Sequence, residues 1–357
     1  MAFIKIRTNR LQKDMIIASD VYTHTGAMII PKNTRVTKEI CDLLTKHFIN
    51  DVIVDYSVAP PKTSQPSSKE PVNAQQLAAF QESFQIAEET LSQSLKDIAY
   101  QDKDIDIPSL LDMVNSVIEK SGNDMNLCDM LFQMKQSAES LYAHSINVSL
   151  YAQLLTKWAN YTAEETELVG VAGLLHDIGI LKCQQEGMTQ ICFHDEMEKK
   201  SGDKHVIYGY NLIKDKDIDS RIKQAVLTHH ERIDRSGFPL GVSFDNINST
   251  SRILAIADIY DTLTMDEPGR SALSPFEAIG LLQDRMYNKF DSSLLMIFCE
   301  RIAQNFLQYD VLLSTGQTGK IIMLNKFDLT RPLVQVDDYF IDLSLKKEIT
   351  IKQILNA

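Results

Sequence analysis

LVGVAGLLHDIG, residues Leu168–Gly179, is an apolar run that stops abruptly on an imidazole and a carboxylate. Small and aliphatic residues fill nearly every position before His176, so the helix they form is buried on all sides rather than along one stripe. Gly179 suits the end of such a helix. Two further segments repeat the theme. Ile222–His230, IKQAVLTHH, carries an apolar helix into a histidine pair, and Ile253–Asp261, ILAIADIYD, sets Asp258 among apolar neighbours. An ionised group there costs several kcal/mol unless it is paired, hydrogen-bonded or bound to a metal.

Outward from these segments, apolar residues recur at three and four positions and predict helices over Leu77–Tyr100, Ile107–Ser121, Met125–Asn160, Ala163–Ile180, Lys204–Lys214, Arg221–His230, Thr250–Met265, Pro275–Asp284 and Ser292–Phe306. Before them, FIKIR, MIIA, VYT, AMII and VIVDY read as strands around a helical pattern between Val36 and His47. After Tyr309 the text turns strand-like again, in VLLST, KIIML, PLVQV and YFIDL. Ser57–Gln76 holds four of the ten prolines, which deny helix and sheet their N–H donors, and reads as a tether. The expected order is a small α/β domain over 1–57, a Pro/Ser-rich linker over 58–76, a helical domain over 77–310 and a β appendage over 311–357 that packs on the helical domain. Helix Leu77–Tyr100 is a candidate homodimer contact, an intramolecular packing helix being the alternative, and a signalling-protein partner is a further expectation.

Composition narrows the function. The 357 residues are 44% hydrophobic and 24% charged, with a formal net charge of −12, which disfavours a broad basic face for duplex nucleic acid. No apolar stretch approaches the ~20 residues of a membrane span, and the amino terminus lacks the features of an export signal. Five scattered cysteines without a CxxC fit reduced thiols in a cytoplasm. Cys183, Cys192 and His194 lack a fourth ligand and read as incidental.

His144, the His176–Asp177 pair, His205, the His229–His230 pair and Asp258 each fall on a separate predicted helix or its end, at intervals of 24–32 residues. Any one of these histidines alone reads first as a capping or core residue. Together, antiparallel helices of this length return the chain to one level and allow the side chains to converge. Imidazoles with carboxylates suit divalent Fe, Mn or Zn, and a carboxylate can bridge two ions.

HDIG, the histidine of HVIYG, HHERIDRSGFPLG and SRILAIADIYDTLT resemble, in order and spacing, the signatures HDIGK, HPxxG, HHExxDGxGYPxG and RIxxxADxxDALT of the HD-GYP family of HD-domain phosphohydrolases, over roughly Ser137–Phe306. The amino-terminal block Leu11–Ile40 resembles the small domain that often precedes them. The resemblance implies a mainly α fold, an HD-domain helical bundle with a small α/β domain before it and a short β appendage after it. It implies a phosphodiesterase that opens cyclic di-GMP to the linear dinucleotide or GMP through a hydroxide activated by two divalent ions, Fe or Mn. His144, His176, Asp177 and Asp258 would hold one ion, with Asp177 bridging to a second on His205, His229 and His230; His176 and Asp177 would be catalytic. Gly237, Phe238 and Pro239 would shape the substrate site, joined by Arg270, Arg235 and Lys182.

The chain departs from the pattern at several positions. Ile180 replaces the lysine of HDIGK, Ser140 stands where three-metal members carry glutamate, and Arg235 replaces a glycine. Phe238 replaces the tyrosine of GYP, and Asp266–Arg270 carries an acid in place of a basic residue. The Cys183–Asp203 insertion differs from the family text. These departures leave two alternatives open: a weakly active or inactive metal- and nucleotide-binding signalling module, or a phosphodiesterase preferring another cyclic dinucleotide such as 3',3'-cGAMP.

Overall fold

The computed structural model describes residues 3–8, 11, 15–23, 28–47, 49, 51–55, 72–134, 140–187, 203–266 and 270–355. Most of the proline-rich tether, most of the 183–203 insertion with Cys192 and His194, and residues 267–269 lie outside them. The chain divides into two compact units, one of Met1–Pro71 with Phe306–Ala357 and one of Val72–Asn305.

In the first unit, β1 (Phe3–Arg7), β2 (Ile16–Ile17) and β5 (Asp51–Asp55) form an antiparallel sheet in the order β1-β5-β2, and β3 (Val21–Tyr22) pairs with β4 (Met28–Ile30). Helix α1 (Lys38–Lys46) starts at Thr37, whose hydroxyl accepts the Ile40 amide. A second antiparallel sheet runs β10-β6-β7-β8-β9, from β6 (Asp310–Leu313), β7 (Thr318–Met323), β8 (Leu333–Val336), β9 (Tyr339–Asp342) and β10 (Ile351–Leu355). The carboxy-terminal strands expected after Tyr309 are present, and they group with the amino-terminal strands in one unit. Met323 and Leu333 lie in one buried cluster with Ile6, Ile17, Ile30, Leu44 and Val54. Neither short sheet buries both faces of a core alone, and pooling apolar faces resolves that. Strand β10 escaped the sequence reading because Lys352 and Gln353 interrupt its apolar alternation, yet it pairs with β6 through Ile354 and Val311.

The second unit is helical: α2 (Ala74–Gln101), α3 (Ile107–Ser121), α4 (Asp124–Met134), α5 (Leu141–Trp158), α6 (Ala163–Leu175), α7 (Ile180–Gln185), α8 (Asp203–Ile213), α9 (Ser220–Thr228), α10 (Ser249–Leu263), α11 (Pro275–Asp284) and α12 (Ser292–Asn305). Helix α2 begins inside the stretch expected to be linker, because Asn73 caps the Gln76 amide at 2.7 Å. The single helix expected over Met125–Asn160 is two. Ser140 accepts the Ala143 amide at 3.1 Å and starts α5 afresh, which puts His144 in a first turn. Helix α6 opens with a capping box between Thr162 and Glu165 and ends five residues before the expected Ile180.

Helices α5 and α6 form the centre. Every residue of α5 from Ala143 to Thr156 is buried. Glycines let the two backbones meet: a Cβ at Gly173 would stand 2.7 Å from the Ser149 Cα. Among the described residues no helix is long and apolar enough to cross a membrane.

Candidate metal centre

Each side chain of the cluster is placed by a local device. His176 continues the α6 backbone by one residue, and its Nδ1 donates to the Gly173 carbonyl at 2.8 Å. His229 at the end of α9 repeats this, its Nδ1 standing 3.2 Å and 3.1 Å from the carbonyls of Ala225 and Val226. A carbonyl only accepts, so both rings donate from Nδ1 and turn Nε2 inward. After His176 the chain makes successive tight turns, Ile178 N–H to Leu175 O and Ile180 N–H to Asp177 O, and these aim the Asp177 carboxylate back into the bundle.

Asp177 is the centre of the arrangement. Its Oδ2 lies 3.3 Å from His176 Nε2 and 3.7 Å from His144 Nε2. Its Oδ1 lies 3.5 Å from His205 Nε2 and 3.6 Å from His229 Nε2. Asp258 adds Oδ1 at 3.3 Å from His144 Nε2 and Oδ2 at 3.9 Å from His230 Nδ1, and His230 Nε2 is 3.1 Å from His205 Nε2. The imidazole–carboxylate separations are long for charge-assisted hydrogen bonds. They fit donors sharing one cation, since two ligands at about 2.1 Å from an ion stand about 3.0–3.4 Å apart. The donor atoms fall into two sets, each within 4.8 Å: His144, His176 and Asp177, and Asp177 with His205, His229 and His230. All are buried, and the Nε2 atoms of His176 and His229 and Oδ1 of Asp177 have no hydrogen-bond partner. Leaving such groups unpaired costs about 1–3 kcal/mol each, and divalent cations would satisfy them together. The residues present therefore fit a pair of ions.

The electrostatics divide the cluster in two. Burial alone would raise the Asp177 carboxyl, but His176, His229 and His205 around it hold it well below the usual carboxylate range. Burial would likewise lower His144, yet Asp258 and Asp261 outweigh it and push the imidazole up to about 10. His205 goes the other way, to about 4, because burial is reinforced by the neighbouring His229 and His176 and only partly offset by Asp177. Burial, then His229, His205 and Arg232, lower His230 as well. The two carboxylates thus favour a protonated His144, whereas burial favours the neutral rings of His205 and His230.

The loop after the histidine pair walls one side. Glu231 is buried, and its carboxylate accepts the amides of Leu240 at 2.6 Å, Gly241 at 3.1 Å and Val242 at 3.1 Å. This folds the loop back on His230. Gly237 is needed there, because a Cβ would lie 2.3 Å from the His230 carbonyl and 2.4 Å from the Arg232 amide. Phe238 then stacks on His230, with centroids 4.7 Å apart at 29°.

All seven expected ligand residues come together. The other expected site residues are more scattered. Arg235 is exposed and sits at φ 65°, in the left-handed region where the family carries glycine. Arg270 directs its guanidinium to the carbonyls of Leu263 at 3.1 Å and Thr262 at 2.5 Å, closing the end of α10. Lys182 lies over the Tyr100 ring, 5.5 Å from its centroid, and Ile180 is buried. Sequence reasoning passed over Asp261 and Glu231. Asp261 is fully buried with Oδ2 2.8 Å from His144 Nδ1. Its signal was its place three residues after Asp258, which shares a helix face.

Part of the chain is similar to known proteins. An HD-domain family model matches residues 125–294. A cyclic di-GMP phosphodiesterase of Pseudomonas aeruginosa is 26% identical over 65% of this chain and 56% of its own. A 3'3'-cGAMP-specific phosphodiesterase of Vibrio cholerae is 27% identical over 42% of this chain and 32% of its own. A cyclic di-GMP phosphodiesterase of Borreliella burgdorferi is 25% identical over 56% of this chain and 53% of its own. The chain thus spans about half the length, or less, of these relatives. Over residues 125–294, where two histidine–aspartate donor sets meet at the HD pair His176–Asp177, the chain is similar to HD-domain proteins of the HD-GYP type.

Proposed function

We propose that this protein is a phosphodiesterase of cyclic dinucleotides, acting on cyclic di-GMP in the cytoplasm, where thiols such as Cys183 and Cys299 stay reduced. The observation that carries the reading is Asp177, one carboxylate whose two oxygens each face a separate pair of imidazoles. His144, His176, Asp177 and Asp258 would hold one divalent ion, and Asp177, His205, His229 and His230 a second, with Fe or Mn suited to this mixture of nitrogen and oxygen donors. Such ions supply Lewis acidity, acidifying water toward neutrality and offsetting charge on the phosphoryl oxygens.

The chain's own part is placement. His176 and His229 are held by backbone carbonyls with Nε2 presented inward, so no reorientation precedes ion binding. Water would add to phosphorus as the bond to the 3' oxygen breaks and that oxygen takes a proton, which leaves a linear dinucleotide with a 5' phosphate. Phe238, Gly237 and Pro239 flank His230 and wall this space. Arg235, exposed beside the loop, supplies a cation for the second phosphate, while Arg270 holds the end of α10 behind Asp258. The amino-terminal α/β block is a regulatory module in this reading.

One observation favours a second reading, a signalling module of low activity. Ile180, at the position of the family lysine, is buried and offers no charge to a phosphate. Turnover of cyclic di-GMP, 3'3'-cGAMP and the linear dinucleotide by iron- or manganese-loaded protein separates the two. Product above that of a His176→Ala, Asp177→Ala control supports the enzyme. No product with retained nucleotide binding supports the signalling module.

A further inference from the structure

His144 is gripped at both ring nitrogens by one helix. Asp261 on α10 takes Nδ1 at 2.8 Å, and Asp258, one turn earlier, stands 3.3 Å from Nε2. Asp261 is fully buried, so little water screens its charge. His176 and His229 are held differently, each by a neutral carbonyl of its own helix. A carbonyl orients an imidazole, whereas a carboxylate also makes it a stronger donor. The negative charge is as uneven. Asp177 is common to both donor sets, but Asp258 Oδ1 lies against His144 and Asp261 lies directly behind it. Among the described residues, the set around His205, His229 and His230 meets a second carboxylate only through Asp258 Oδ2, 3.9 Å from His230 Nδ1, and has Arg232 beside it, whose guanidinium is buried against the His229 and Glu231 carbonyls at 3.1 Å and 3.2 Å.

We infer that Asp261 is a positioning residue that makes the two cation sites unequal. The site of His144, His176, Asp177 and Asp258 fills first and holds its ion more tightly, and the site of His205, His229 and His230 fills second. This rests on the two-ion reading of the cluster but not on the identity of the substrate. Asp261 touches neither a proposed ion nor substrate; it fixes which nitrogen of His144 faces the centre. In Asp261→Asn, an amide that turns its NH2 toward Nδ1 forces the ring proton onto Nε2, and one that turns its oxygen there keeps the tautomer without the charge.

The test is manganese titration of metal-free protein followed by electron paramagnetic resonance and calorimetry. Wild type should bind in two steps, the first giving the six-line signal of an isolated Mn ion and the second replacing it with a coupled-pair spectrum. Asp261→Asn should lose ten- to a hundredfold in affinity at the first step and less at the second. Asp261→Glu, which keeps the carboxylate, should recover part of it. Two indistinguishable steps in wild type overturn the inference, as does an Asp261→Asn protein with an unchanged first step. If the asparagine variant fails to fold, the wild-type titration still decides, joined by His229→Ala, which should keep a strong isolated-ion site. Wild type that takes up fewer than two ions removes both this inference and the two-ion reading. Two unequal ions without turnover leave the inference standing and remove only the phosphodiesterase.

Discussion

Gly179 closes the HD motif, and its replacement by alanine should damage metal binding more than its place at a helix end suggests. A Cβ there would lie 1.9 Å from the His205 carbonyl oxygen, 2.4 Å from the Gly209 amide and 2.8 Å from the His205 carbonyl carbon. All three are backbone atoms of α8, so no side chain can rotate away. Restoring a tolerable 3.0 Å contact requires the turn and α8 to part by about 1 Å. Overpacking of this kind costs about 1–3 kcal/mol, and here the displacement acts on function directly. His205 Nε2 is 3.5 Å from Asp177 Oδ1, and moving α8 outward carries it from the second donor set. Gly179→Ala should therefore lower the melting temperature by several degrees and weaken the second ion at least tenfold, with the first ion less affected. Gly316→Ala is the control: a Cβ there meets nothing within 4 Å, although φ is 83°, so it should cost about 1 kcal/mol and leave metal binding alone. Calorimetric titration with manganese reads both steps. A Gly179→Ala protein with unchanged second-ion affinity would refute the reasoning.

Chelated protein should be most stable near pH 6.5. His205, at about 4 when folded, favours the unfolded chain as pH falls from about 6.5 to 4, a loss of about 3 kcal/mol. His144, raised to about 10, contributes stability below about pH 6.5 that disappears as pH rises through 10; melts between pH 4.5 and 9 that show no maximum contradict this. Glu231→Gln leaves an amide donor facing backbone donors in place of a carboxylate that accepts three of them. It should cost about 2–3 kcal/mol, and denaturant titration measuring under 1 kcal/mol would contradict the role given to the loop. Arg235→Gly relieves a left-handed backbone worth about 1–2 kcal/mol at a comparable cost in chain entropy. Stability should barely change while KM rises several-fold at similar kcat; an unchanged KM would remove Arg235 from the substrate site.

The clustering of these seven side chains was legible because the chemistry leaves few ways to hide it. Polar residues such as Asp258 in an apolar helix, or His176 at the end of one, stand out against periodicity, and several such anomalies at helical spacing point to one place. Asp261 was harder to read because a second aspartate in the same motif looks like a solvated turn until α5 is seen packed against it. The break between α4 and α5 was hidden for a related reason: an apolar pattern continues through both helices, and only the hydroxyl of Ser140 marks the restart. The shared core of the amino-terminal and carboxy-terminal strands gathers residues more than 300 positions apart into one cluster, such as Ile6 and Leu333, which local periodicity does not encode.

The central claim is that Asp177 joins two cation sites. Ion content per chain, measured on manganese-reconstituted wild type and on Asp177→Asn after removal of loosely bound metal, tests it most directly. Wild type should hold two ions and the variant at most one, because an amide cannot supply the shared negative charge to both histidine sets. Two ions retained by Asp177→Asn, or fewer than two held by wild type, would contradict it.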